Sequence, residues 1–138
     1  MNRLAFTGTR HGMDGDQRRQ FANFLCDHLV TEFHYGGCIG ADDDAFKLWA
    51  AHGGHLTGVA HCWPALVDPS LQALPDDEDI ELYGIVMHEP MAPLERNRQM
   101  VNHSDIVFAA PHATKPSRGT RFTINYAQAV DVPTVVVS

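Results

Sequence analysis

A chain of 138 residues, 44% hydrophobic and 20% charged, is long enough to bury a core in one domain and leaves little room for a second. Its formal net charge of −7 argues against non-specific binding to nucleic acid, which needs Lys and Arg to displace counterions from the phosphates. That charge leaves open one small anionic ligand, because a few arginines can make a positive pocket on a negative protein.

The apolar runs are short and alternate with helical patterns, the rhythm of a parallel βαβ sheet. A first strand is expected at 4–7, ended by Gly8. A helix capped by Asp16 follows to about residue 32, with Phe21, Leu25 and Leu29 on its buried stripe. A second strand at 33–35 leads into the glycine turn 36–40. A second helix spans 41–52, with Ala45, Leu48 and Trp49 toward the core, and Gly53-Gly54 ends it. A third strand is expected at 56–59. Residues 61–81, broken by Pro64, Pro69 and Pro75, read as a long surface excursion. A fourth strand at 82–87, a helix opened by Pro93 to about 102 and a fifth strand at 106–109 come next. The polar stretch 114–117 precedes a helix at 120–129. A continuous apolar strand at 134–137, of the kind covered on both faces, closes the chain. The expected fold is a three-layer Rossmann-like α/β domain over residues 1–138, with a mainly parallel sheet of five or six strands.

Ligands in such sheets bind beyond the carboxyl ends of the strands, and four segments fall there. Thr7-Gly8-Thr9-Arg10 follows the first strand, where Gly8 lets the backbone approach a ligand and Thr9 and Arg10 can meet a phosphate. Gly36 to Asp42 is glycine-rich and runs into a helix start. Amides of Gly37, Cys38, Gly40 and Ala41 can form an anion cradle there, with Asp42 as a ligand contact or a shaper of the loop. In Arg96-Asn97-Arg98 one arginine can enter the crevice while the other stays outside. Ser117-Arg118-Gly119-Thr120 opens the last helix, with Thr123 one turn on, and offers a second phosphate site or an ordinary helix cap.

The nine histidines have neither HExxH nor Cys/His-finger spacing, and their densest set is His52, His55, His61 and Cys62. No metal and no cofactor is expected. The three cysteines, Cys26, Cys38 and Cys62, form no CxxC pair. With no apolar run long enough to span a membrane and no signal-peptide pattern at the start, the chain reads as cytoplasmic.

Together the four segments resemble the SLOG superfamily, the Rossmann-like group joining the DNA-processing Smf/DprA proteins to the LOG phosphoribohydrolases. The likeness covers nearly the whole chain except about 61–90. It implies a nucleotide-type ligand held by Gly8, Thr9, Arg10, Gly37, Cys38, Gly40, Ala41, Asp42, Arg96, Arg98, Arg118, Gly119, Thr120 and Thr123. LOG enzymes cleave the N-glycosidic bond of a nucleoside 5′-monophosphate with an arginine and a glutamate. Arg96 falls at that arginine's position, and Thr123 stands where those enzymes have the glutamate. Three functions stay open. The first is a binding domain for a phosphate-bearing nucleotide. The second is a nucleotide N-glycosidase with Asp42 and Arg96 as catalytic candidates, Asp44 and Glu95 being the next carboxylates. The third is a DprA-like single-stranded DNA binder, which the acidic composition disfavours. Related domains commonly pair, so a homo-oligomer also stays open.

Overall fold

The computed structural model describes residues 2–138. Six strands form one all-parallel sheet: β1 (Arg3–Gly8), β2 (Glu32–Tyr35), β3 (Val59–Cys62), β4 (Val86–Met87), β5 (Ile106–Ala110) and β6 (Thr134–Val136). Their spatial order is β4-β3-β2-β1-β5-β6. The helices are α1 (Gly15–Asp27), α2 (Ala41–Ala51), the single turn α3 (Gly54–Thr57), α4 (Asp77–Tyr83), α5 (Pro93–Asn102) and α6 (Arg118–Ala129). This is the Rossmann-like α/β architecture that the alternating pattern predicts.

Strand side chains alternate between the two faces, and both faces of the β1–β5 pair carry apolar side chains. Leu4, Phe6, Phe33, Tyr35 and Phe108 turn to one side, where they meet Phe21 and Phe24 of α1 and Ala45 and Trp49 of α2. Ala5 and Val107 turn to the other, against Met100 and Val101 of α5 and Ala127 of α6. Phe21 packs edge-on against Phe6 and Phe108, with centroids 5.3 and 4.9 Å away, the arrangement that aromatic quadrupoles favour.

The chain winds outward from β1 through β2, β3 and β4, then returns to lay β5 on the other side of β1. The reversal therefore lies between β1 and β5, whose carboxyl ends meet at Gly8 and Ala110. That is where a crevice is forced open.

Several boundaries differ from the sequence reading, each for a physical reason. Helix α1 is capped by Asp14, not Asp16, through a reciprocal box: Gln17 N–H donates to Asp14 Oδ1 at 2.8 Å and Asp14 N–H to Gln17 Oε1 at 3.1 Å. It stops at Asp27 because Thr31 must already pair with Asn2 (2.9 Å) to start β2. Leu29 is consequently 58% exposed, and Phe24 takes the buried place on the stripe. After α2, Gly53 adopts a left-handed φ of 73° and α3 inserts a further turn, so the third strand is Val59–Cys62 and Leu56 is exposed.

The excursion at 61–81 is less of a loop than expected. Residues 61 and 62 complete β3, a 3-10 turn spans Pro69–Leu71, and α4 occupies its end. Bridges from Cys38 to Gln72 and from Ala65 to Met91 fasten it to the body. The fourth strand shrinks to Val86–Met87, because α4 runs to Tyr83 and Gly84 ends it. The last helix begins at Arg118, two residues earlier than expected. The last strand is an edge rather than a covered strand, with Val136 half exposed. Among the described residues, no helix is long and apolar enough to cross a membrane.

Candidate functional site

A cavity of about 360 Å³ opens at the β1–β5 switch point, within the size range of small-molecule sites, roughly 300–1,000 Å³. Its walls come from the β1 turn, from Gly36, Cys38 and Asp42, from Arg96, Asn97 and Met100 of α5, and from residues 115–120. Val67 and Leu71 of the excursion add an apolar side. The two glycine turns that the sequence singled out thus face one space.

The turn at 36–42 is closed by its own protein. Asp42 is buried, and its Oδ2 accepts from the Cys38 N–H at 3.2 Å. Ile39 N–H donates to Leu71 C=O at 3.1 Å, and Ala41 N–H to Thr9 C=O at 2.9 Å. An internal carboxylate and a carbonyl therefore take the Cys38 and Ala41 amides, two of the four that were expected to cradle an anion. Gly40 has φ +85°, and a Cβ there would lie 2.3 Å from the Arg10 carbonyl oxygen. Its glycine serves the close approach of this turn to the β1 turn. Gly8 is explained the same way, since a Cβ would sit 2.5 Å from that of Ala41. Helix α2 packs directly on β1 there, which replaces the expected reason of ligand approach.

Arg96 pins the inner wall. It is buried, and its Nη1 donates to the carbonyls of Gly36 (2.9 Å) and Trp63 (2.8 Å) while Nε donates to Asn97 Oδ1 (2.6 Å). A Cβ on Gly36 would lie 2.4 Å from Arg96 Nη1 and 2.7 Å from Asp42 Oδ2, so the guanidinium and the carboxylate press on the same glycine. Burial pushes the Asp42 carboxyl above its ordinary value, and the Arg96 charge and the loop amides offset this only in part. Burial likewise raises the Cys38 thiol.

The start of α6 is open. Thr120 Oγ1 donates to Gly8 C=O at 3.1 Å, which ties the helix start to the end of β1. Ser117 Oγ caps the Thr120 N–H at 3.4 Å. The first-turn amides of Arg118 and Gly119 have no acceptor within the helix, as at any helix start. Gly119 has an ordinary φ, and a Cβ there would meet nothing nearer than 3.6 Å, so no packing demands glycine at this place. Thr9, 3% exposed, also lines the cavity, and its buried Oγ1 has no hydrogen-bond partner.

Charge is distributed unevenly. Four of the ten Lys and Arg residues line this one cavity: Arg10, Arg96, Lys115 and Arg118. Arg3, Arg18, Arg19, Lys47 and Arg98, by contrast, each pair with an acid. Among the described residues no ion pair is formed by Arg10, Lys115 or Arg118. His11 at the rim is pushed below its ordinary value by desolvation and then by Lys115, His112 and Arg10, as a positive field requires.

Of the residues expected at the site, Gly8, Thr9, Arg10, Cys38, Asp42, Arg96, Arg118, Gly119 and Thr120 line the cavity. The others do not. Gly37 packs on Leu74 and Cys62, and Gly40 and Ala41 serve the contact between turns. Arg98 lies outside, paired with Glu95 at 3.0 Å and over the Phe122 ring. Thr123 is buried and donates back to Gly119 C=O at 2.9 Å, so it offers the cavity nothing. Of the three candidate carboxylates only Asp42 remains. Asp44 accepts from Met13 N–H and pairs with Arg18, and Glu95 is on the surface with Arg98 and Gln99. The expected histidine set also disperses: His52 bonds its own helix at Leu48 C=O, His55 packs on Tyr83, and His61 and Cys62 alternate to opposite faces of β3. Sequence reasoning missed Lys115, His11, Val67 and Leu71, which only the folded loops bring to the cavity.

No protein-family model matches the chain, and no curated protein sequence matches it. Among solved structures it is similar to the X-ray structure of TM1055, a Northeast Structural Genomics Consortium target. The TM-score is 0.61 at 13% identity, over 97% of this chain and 72% of that one. At that identity the likeness establishes the Rossmann-like fold alone.

Proposed function

We propose that this chain is a short SLOG-type domain that binds a phosphate-bearing nucleotide or nucleotide-derived ligand in the β1–β5 cavity. The observation that carries the reading is the gathering of Arg10, Lys115 and Arg118, none with an acidic partner among the described residues, around the open start of α6 on a chain of net charge −7. Helix-start amides and arginine forks hold phosphate without any catalyst. Phe6, Val67, Leu71 and Met100 supply an apolar wall for the uncharged part of the ligand. Thr9 Oγ1, buried and unbonded, supplies a polar contact that the protein itself does not use.

A second reading, hydrolysis of a nucleoside 5′-monophosphate at its N-glycosidic bond, rests on Asp42. Its carboxyl is in the cavity and raised by burial, as suits a general acid. Against it, both Asp42 and Arg96 are engaged in shaping the loop, and Thr123 gives no second carboxylate. The rim cations are too few, on an otherwise acidic chain, to track a nucleic-acid strand.

A thermal-shift and calorimetric screen of nucleoside mono-, di- and triphosphates against the free nucleosides tests the binding reading. Phosphorylated ligands should raise the melting point and nucleosides should not. Equal response to both, or to neither, defeats it. Chromatography of the same mixtures for free base decides between binding and hydrolysis.

A further inference from the structure

Pairing of β2 with β3 collects imidazoles that the sequence disperses. His34 stands opposite His61 in the parallel register, so both project from one face of the sheet. Their rings stack with centroids 4.5 Å apart. Glu32, two residues before His34, shares that face, and its Oε1 lies 2.9 Å from His34 Nε2. The ligand atoms of Glu32, His34 and His61 all fall within 4.8 Å of one another. His34 is buried while the Glu32 side chain is 37% exposed, so an ion reaches the group from the Glu32 side without unfolding. Against the expectation from sequence spacing, we propose that Glu32, His34 and His61 form a site for a divalent transition-metal ion of the zinc class. Two imidazoles and one carboxylate are a donor set that suits zinc and leaves a coordination position open. Calcium and magnesium, which prefer oxygen ligands throughout, are disfavoured.

The surrounding hydrogen bonds give the site a reporter. The Trp63 indole N–H donates to His34 Nδ1 at 2.9 Å. Indole is a donor only, so His34 carries its proton on Nε2 and donates it to Glu32. A metal ion takes that proton's place between imidazole and carboxylate. The proton moves to Nδ1, His34 stays neutral overall, and Trp63 must release its acceptor. Trp63 also stacks on His88 at 3.5 Å, and His88 Nε2 lies 2.9 Å from His61 Nδ1. An ion bridging only His61 and His88 would leave the bond between Trp63 and His34 intact. The other tryptophan, Trp49, stacks on Phe33 in the core of the opposite face.

The test is titration of the untagged, chelator-treated full chain with Co²⁺ and then Zn²⁺. One Co²⁺ per chain is expected, with the visible absorption of a low-coordinate site, displacement by Zn²⁺ and a concurrent change in tryptophan emission. Glu32→Gln keeps an oxygen acceptor for His34 and should melt like the parent while losing at least tenfold in Co²⁺ affinity. His61→Gln should lose as much, and His52→Gln, at the end of α2, should lose nothing. Absence of stoichiometric uptake overturns the proposal. So does uptake that survives both Glu32→Gln and His61→Gln, or uptake that leaves tryptophan emission unmoved.

Discussion

The turn at 36–42 and the turn at 117–120 carry the same sequence signal, glycine running into a helix start, yet the fold treats them oppositely. The first is filled from within. Asp42 takes the Cys38 amide, Thr9 takes that of Ala41, and Gly40 lies against the Arg10 carbonyl. The second leaves the Arg118 and Gly119 amides without an acceptor in the helix, has space around Gly119 and is faced by three cations that form no ion pair among the described residues. A helix start binds an external anion only when the chain does not supply one of its own. On the proposed reading one turn is structural and the other is left for a ligand, although both line one cavity.

Glycine substitutions should separate the two turns most sharply. Gly40→Ala places a Cβ 2.3 Å from the Arg10 carbonyl oxygen, on a residue whose own φ is +85°. It should destabilise by about 3 kcal/mol or more in denaturant unfolding, from overpacking together with left-handed strain. Gly119→Ala meets only ordinary contact and should leave stability unchanged or raise it by up to about 1 kcal/mol through helix propensity. Equal losses at both positions would erase the contrast.

Arg118→Glu should weaken nucleotide binding by about 30-fold or more, roughly 2 kcal/mol, by replacing a charge-assisted contact with repulsion. The melting point should hardly move, since Arg118 is exposed and unpaired. Titration calorimetry at two salt concentrations checks this, and a mutant that binds like the parent would take the α6 start out of the site.

Asp42 gives a pH dependence whose sign follows from its raised carboxyl. The native state keeps this proton at pH values where the unfolded chain, near the ordinary 3.8, has lost it. The stabilising contribution is full below the unfolded value and is lost as pH rises through the native one. Over the same window a negative charge appears beside the ligand, so anion affinity should fall as pH rises. Asp42→Asn should abolish that slope and strengthen binding at pH values above the native titration. An unchanged slope would place the titrating group elsewhere.

The smallest effect belongs to Arg98. Arg98→Ala removes only an exposed pair with Glu95 and a ring contact, which solvent screens, and should leave both the melting point and ligand affinity nearly as they are.

These contrasts also show what the sequence could disclose. The βαβ order and the helix opened by Pro93 were legible because periodicity reports which face is buried. That one of Arg96 and Arg98 would turn inward was legible, because residues two apart on a helix point different ways, but not that it is Arg96. Long-range pairing was not legible. The end of α1 is set by Thr31 bonding to Asn2, and β3 begins late because α3 intervenes. The closure of the first glycine turn depends on Asp42 folding back on Cys38, which composition and spacing do not distinguish from an acid waiting for a ligand. Lys115 reaches the cavity because α6, which follows it, is tied to Gly8 through Thr120.

The most direct measurement is an amide NMR titration with a nucleoside 5′-monophosphate. The account predicts saturable shifts of the Arg118 and Gly119 amides, with those of Cys38, Ile39 and Ala41 nearly still. Large shifts at 38–41 with silence at 118–119 would contradict it.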